Sequence, residues 1–232
     1  MAPRMHPRRR EVKPVWAEVD RYFGDLLRPA DQALEAALRA NRKAGLPAID
    51  VSRLQGKFLF LLARIAEARR ILEIGTLGGY STICFARALP RGGRIVTLEL
   101  EPRHAEVAQA NLRNAKVLNR VDLRVGRAVD SLAKLAAEKG EPFDLIFIDA
   151  DKPSNPEYFK WALKLARPGT VIVVDNVVRD GEVVDAKSRD ADVQGTRLMF
   201  RKMAAERRVS ATVLQTVGAK GYDGLALALV LR

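Results

Sequence analysis

Two apolar runs in this chain each stop at an acid. Phe143-Asp144-Leu145-Ile146-Phe147-Ile148 leads into Asp149-Ala150-Asp151-Lys152, and Thr170-Val171-Ile172-Val173-Val174 leads into Asp175-Asn176. Short, β-branched runs of this kind predict strands buried on both faces of a parallel sheet. They belong to a longer alternation. Segments 71–75, 94–99 and 121–125 are further predicted strands, with helices over about 80–89, 102–118, 131–139 and 157–166. Pro168-Gly169 makes the turn into the strand at 171–175. After a polar loop over 178–192, a helix near 196–207 precedes strands at 210–217 and 225–231, joined by a glycine-rich loop over 218–224. Repeated strand–helix units predict an α/β fold whose mostly parallel sheet has right-handed crossovers and flanking helices. The C-terminal strand pair adds an antiparallel edge.

Ahead of this alternation the period is helical. Leu26, Leu27, Leu34 and Leu38, then Leu54, Phe58, Leu61, Leu62 and Ile65, recur at three- and four-residue intervals, predicting N-terminal helices over 15–67. Asp31 and Ser52 stand at N-cap positions, and Gly45-Leu46-Pro47 interrupts the stripe.

Composition narrows the class. With 232 residues, 48% of them hydrophobic and 29% charged, the chain suits one domain over 15–232, its α/β core at 70–232. The one cysteine, Cys84, excludes an internal disulfide framework and fits a reducing cytoplasm, at a buried helix position. No run approaches the roughly 20 apolar residues that span a bilayer, and residues 1–13 lack the apolar core of a secretory signal. Residues 1–14 read instead as a disordered basic tail, carrying +4 of the formal +12 charge. That balance suits anionic partners, such as phosphorylated substrates or nucleic acid. Trp16 and Trp161 read as core or interface anchors, and His6 and His104 as solvated.

The acids change the picture most. Parallel sheets bind ligands beyond the carboxyl ends of their strands, so Asp149, Asp175 and Asn176 are expected in one crevice. Three hard oxygen donors with Lys152 beside them make a half-cage for Mg²⁺ or Ca²⁺. Leu72-Glu73-Ile74-Gly75-Thr76-Leu77-Gly78-Gly79-Tyr80-Ser81 closes the first strand and opens a helix, although Gly75, Gly78 and Gly79 do not form G-x-G-x-x-G. Glu99, 24 residues after Gly75, ends the second strand, where a carboxylate accepts ribose hydroxyls. Glu101 is its rival, and alternation against Leu98 and Leu100 favours Glu99. The loop lacks a Walker lysine, which argues against ATP hydrolysis. One acid at such a junction reads as a helix cap. Five of them (Glu73, Glu99, Asp149, Asp151 and Asp175) on one edge of a basic chain read as a site for cations.

Together the glycine loop, Asp149-Ala150-Asp151-Lys152 and Asp175-Asn176, with 26 residues from Asp149 to Asp175, resemble the cation-dependent class I O-methyltransferases, the caffeoyl-CoA and catechol enzymes and their bacterial relatives. The resemblance runs from about Ala48 to the C-terminus. It implies a Rossmann-like class I methyltransferase fold and a homodimer. It also implies an S-adenosylmethionine pocket lined by Glu73, Gly75, Ser81, Glu99, Ala128, Asp149, Asp151 and Tyr158. Asp149, Asp175 and Asn176 become ligands of Mg²⁺, with Ca²⁺ or Mn²⁺ as substitutes, and Lys152 the general base. The implied acceptor is a vicinal-dihydroxy phenolic compound, free or carried on CoA. Some relatives instead methylate a hydroxylated wobble uridine in tRNA, a use that the basic tail suits. This chain departs from the pattern at Pro153-Ser154-Asn155-Pro156, where relatives often place Asn-Tyr, which alters the wall of the acceptor pocket.

Overall fold

The computed structural model describes residues 13–231. The expected basic tail falls, up to residue 12, outside these; Pro14, counted in that tail, opens the first helix, where a fixed φ and a missing N–H are tolerated. Three N-terminal helices follow: α1 (Pro14–Leu27), α2 (Gln32–Lys43) and α3 (Arg53–Ile65). The predicted caps are in place. Asp31 accepts from the Ala33 and Leu34 amides at 3.1 and 3.0 Å, and Ser52 from the Gln55 amide at 3.1 Å.

The alternation then runs β1 (Arg70–Ile74), α4 (Tyr80–Ala88), β2 (Arg94–Glu99), α5 (Pro102–Asn114), β3 (Val121–Val125), α6 (Ala128–Ala137), β4 (Phe143–Ile148), α7 (Asn155–Leu165), β5 (Ala166–Asp175), α8 (Ala191–Ala205), β6 (Val209–Gly218) and β7 (Gly221–Val230). The seven strands are ordered β3-β2-β1-β4-β5-β7-β6, and only the pairs involving β7 are antiparallel. The expected α/β class and mostly parallel sheet are therefore found.

Period-two alternation divides the core. Ile71, Leu145, Phe147 and Val173 face the α3–α4–α5 side, whereas Leu72, Ile74, Ile146, Ile148, Ile172 and Val174 face the α6–α7–α8 side. All are buried, and each such side chain contributes about 1.5–3 kcal/mol of transfer free energy. This two-sided burial is why the strands read as unbroken apolar runs.

Four boundaries differ from expectation. β5 begins at Ala166, because its register slips past a bulge opposite Phe143–Leu145. Within that bulge Gly169 takes φ +89° and the Thr170 hydroxyl donates to Phe143 O at 2.6 Å. The loop expected over 218–224 is mostly strand. Gly218 pairs with Gly221, leaving Ala219 and Lys220 as the turn, since pairing with β6 outweighs local glycine turn chemistry. α6 and α8 also start earlier, at Ala128 and Ala191.

Candidate active site

The strand order reverses direction between β1 and β4, and loops leaving the two strands diverge there into a crevice. The tips are stitched together. Asp149 N donates to Ile74 O at 2.9 Å, and Gly75 N to Leu98 O at 3.0 Å. Gly75 is required here: it holds φ +103°, and a Cβ would lie 2.0 Å from the Asp149 carbonyl oxygen. Ile148 pairs with Val174, so Asp149 and Asp175 leave neighbouring strands side by side, about 4.8 Å apart in backbone. The expected shared crevice for Asp149, Asp175 and Asn176 is what the sheet builds.

Within it, Lys152 is 5% exposed and places Nζ 3.1 Å from Asp149 Oδ1. Asp175 is also buried. Its Oδ1 accepts from Asn176 N at 2.8 Å and its Oδ2 from Gln55 Nε2 at 2.6 Å. Burial, reinforced by the Asp149 charge, pushes Asp175 up to about 7, against the opposing pull of Lys152 and the two N–H donors. Asn176 sits in the left-handed region at φ +56°, which asparagine tolerates better than most residues. Two neighbouring carboxylates and one ammonium gather here, with Asn176 next in the chain, and such oxygen donors suit a hard cation. Among the described residues no three His, Cys, Asp or Glu side chains converge as metal ligands, and Asn176 is the residue that could add a third oxygen donor.

The glycine loop lies one strand over. Glu99 Oε2 accepts from the Thr76 and Leu77 amides at 3.2 and 2.7 Å, and Oε1 from Glu101 N at 3.0 Å. A carboxylate has about four acceptor positions, and Glu99 uses three of them to shape the loop. His104, expected in solvent, instead places Nδ1 3.3 Å from Glu99 Oε1, because the first turn of α5 folds back over the β2 tip. Glu73 is fully buried beneath the loop and accepts from the hydroxyls of Ser81 (2.6 Å), Thr97 (2.7 Å) and Thr82. Burial pushes Glu73 up to about 7 despite those three donors. The remaining expected residues line the same edge: Ala128 opens α6, where no side chain caps the helix, and the Tyr158 hydroxyl donates to Asp151 Oδ1.

Four residues that the sequence did not single out complete the frame. Buried Asn41 donates to Asp50 Oδ1 at 2.7 Å, while Asn111 Nδ2 bridges Asn41 Oδ1 and Gly78 O, each at 2.9 Å. This amide chain clamps the glycine loop to α2 and α5. Gly195 in α8 lets the helix lie against Lys152, whose carbonyl oxygen would be 2.3 Å from a Cβ there. Gln55, from α3, reaches Asp175 as described. These contacts join elements far apart in sequence, and no local motif announces them.

The family model for O-methyltransferases matches residues 29–231. The chain belongs to that family. A catechol O-methyltransferase from Niastella koreensis is 54% identical to this O-methyltransferase over 216 residues, covering 93% of this chain and 98% of the relative. The crystal structure of the O-methyltransferase from Bacillus cereus in complex with S-adenosylhomocysteine superposes with a TM-score of 0.92 at 59% identity, covering 93% of this chain and 98% of that one. TomG from Streptomyces achromogenes, an O-methyltransferase involved in tomaymycin synthesis and solved with S-adenosylmethionine, gives 0.91 at 54% identity, covering 94% and 98%. The class I assignment reached from three motifs therefore holds, and this protein is an O-methyltransferase with the Rossmann-like fold of its relatives. No helix among the described residues is long and apolar enough to cross a membrane.

Proposed function

We propose that this enzyme transfers the methyl group of S-adenosylmethionine to one hydroxyl of a small vicinal-dihydroxy aromatic compound, a catechol or a caffeoyl-CoA-like ester. The observation that carries this reading is the placement of Asp149 and Asp175 on adjacent strand tips with the buried Lys152 Nζ 3.1 Å from Asp149. S-adenosylmethionine supplies a methyl already activated on a sulfonium, so the protein has only to position the nucleophile. Asp149, Asp175 and Asn176 would hold Mg²⁺, which supplies Lewis-acid activation and a template for two vicinal oxygens; their all-oxygen donor set suits Mg²⁺, Ca²⁺ or Mn²⁺ rather than a softer metal.

The chain's own groups divide the remaining work. Glu99 takes the ribose, with Gly75, Ser81, Ala128, Asp151 and Tyr158 around the rest of the cofactor. Glu73 and Asp149 provide negative charge near a positive sulfur. Lys152 Nζ, acting as the neutral amine after losing its own proton to solvent, takes the proton of the acceptor hydroxyl as that oxygen bonds to the methyl carbon and the carbon–sulfur bond breaks. Purified enzyme with S-adenosylmethionine should methylate catechol once per turnover and lose that activity in EDTA, with recovery on adding Mg²⁺. Product formation that is indifferent to EDTA removes the metal from this scheme. The absence of methylated product from both catechol and caffeoyl-CoA removes the acceptor class.

The working form is a homodimer on this reading. In α1, Val15, Val19, Tyr22 and Leu26 form one stripe along the helix and stay exposed, as do Val213 and Val217 on edge strand β6. A second copy of the chain is the partner that covers them. Light scattering on the eluted protein should give twice the mass of one chain, and Leu26→Asp should halve it; a monomeric wild type overturns the dimer.

A further inference from the structure

Gln55 occupies a position that local sequence logic assigns to another task. Ser52 is the N-cap of α3 and accepts from the Gln55 amide at 3.1 Å. Ser-x-x-Gln at a helix start is the capping-box signature, in which the N3 glutamine side chain returns to the N-cap amide. Here that side chain turns away and donates Nε2 to Asp175 Oδ2 at 2.6 Å, across 120 residues of sequence. The bond is charge-assisted, short and half-buried. Forgoing the returning half of the capping box needs a compensating gain, and the gain is at the β5 tip.

We infer that Gln55 is a positioning residue for the cation site, holding the Asp175 carboxylate in the orientation that ligates a divalent metal. This rests on the metal reading proposed above. Asp175 has two oxygens, and both are fixed by N–H donors: Oδ1 by its neighbour Asn176 N and Oδ2 by Gln55. Without Gln55, one oxygen is tied only within its own turn and the carboxylate is free to rotate toward Lys152. Groups that orient a metal ligand in this way typically change metal affinity by about 10–100-fold when removed. Because Gln55 stands on the first turn of α3, the N-terminal helices become part of the cation site.

The test uses Mn²⁺ as the probe, its free concentration read by electron paramagnetic resonance, on the full chain without acceptor. Gln55→Met keeps the length and loses the donor. Its Kd for Mn²⁺ should rise about 10–100-fold, while S-adenosylhomocysteine binding without metal stays within twofold. Ser52→Ala is the control for helix integrity: it removes the cap yet leaves Gln55 in place, so it should lower the melting temperature with Mn²⁺ affinity unchanged. A Gln55→Met Kd within twofold of wild type overturns the inference, as does an equal loss of Mn²⁺ affinity in Ser52→Ala. A wild-type enzyme that takes up no Mn²⁺ sinks the metal reading itself, which is a different result.

Discussion

Asp175→Ala should lower catechol turnover by about 10³-fold or more, the size expected when several kcal/mol of Lewis-acid and template stabilisation are lost. The structural reason is the position of this carboxylate. It is buried at the β5 tip and lies across one strand spacing from Asp149. The same loss should follow when wild-type enzyme is placed in EDTA, and the two losses should not add, because they remove one thing. Circular dichroism melts without metal should stay within about 5 °C of wild type, since the cost of burying this carboxyl beside Asp149 offsets its two hydrogen bonds. Additive losses, or a variant that keeps turnover, would place the cation elsewhere.

Lys152→Met carries the second large effect, a fall in kcat of about 10²–10⁴-fold, the usual range for a positioned general base. Methionine keeps most of the apolar stem in a site only 5% exposed, so packing against α8 survives. What disappears is the amine that, once neutral, accepts the proton, at a position 3.1 Å from Asp149. A nitro-substituted catechol, already largely ionised in neutral solution, needs no base and should recover most of the lost rate. An equal deficit on both acceptors would instead assign Lys152 to holding Asp149.

Much of this site was legible in one dimension because its parts sit where strands end. An acid after a buried apolar run is visible in sequence, and a parallel sheet then gathers such acids without further instruction; Asp149, Asp175 and Glu99 were found this way. N-caps at Asp31 and Ser52 were equally readable, since a cap acts within three residues. What escaped notice works through space. Gln55, Asn41 and Asn111 belong to no motif that singles them out, and His104 reads as a surface histidine. Each gains its role from an element that no local pattern predicts beside it. The turn of the last hairpin was misplaced for the same reason: Gly221–Gly224 carries loop chemistry, but its partners on β6 and the continuing ladder to β5 hold it extended.

The Asn41–Asn111 clamp on Gly78 O bears on how small a working version of this enzyme can be. Residues 70–231 contain every group assigned to cofactor, cation and proton, and a truncation there would look sufficient on paper. Yet Asn41 and Gln55 both lie upstream of that cut, so the shortened chain would keep its reactive side chains while losing the braces that hold the glycine turn and the β5 carboxylate in register. On the proposed reading the helical preface braces the site, and acceptor preference is to be re-engineered at the rim with those first three helices left attached.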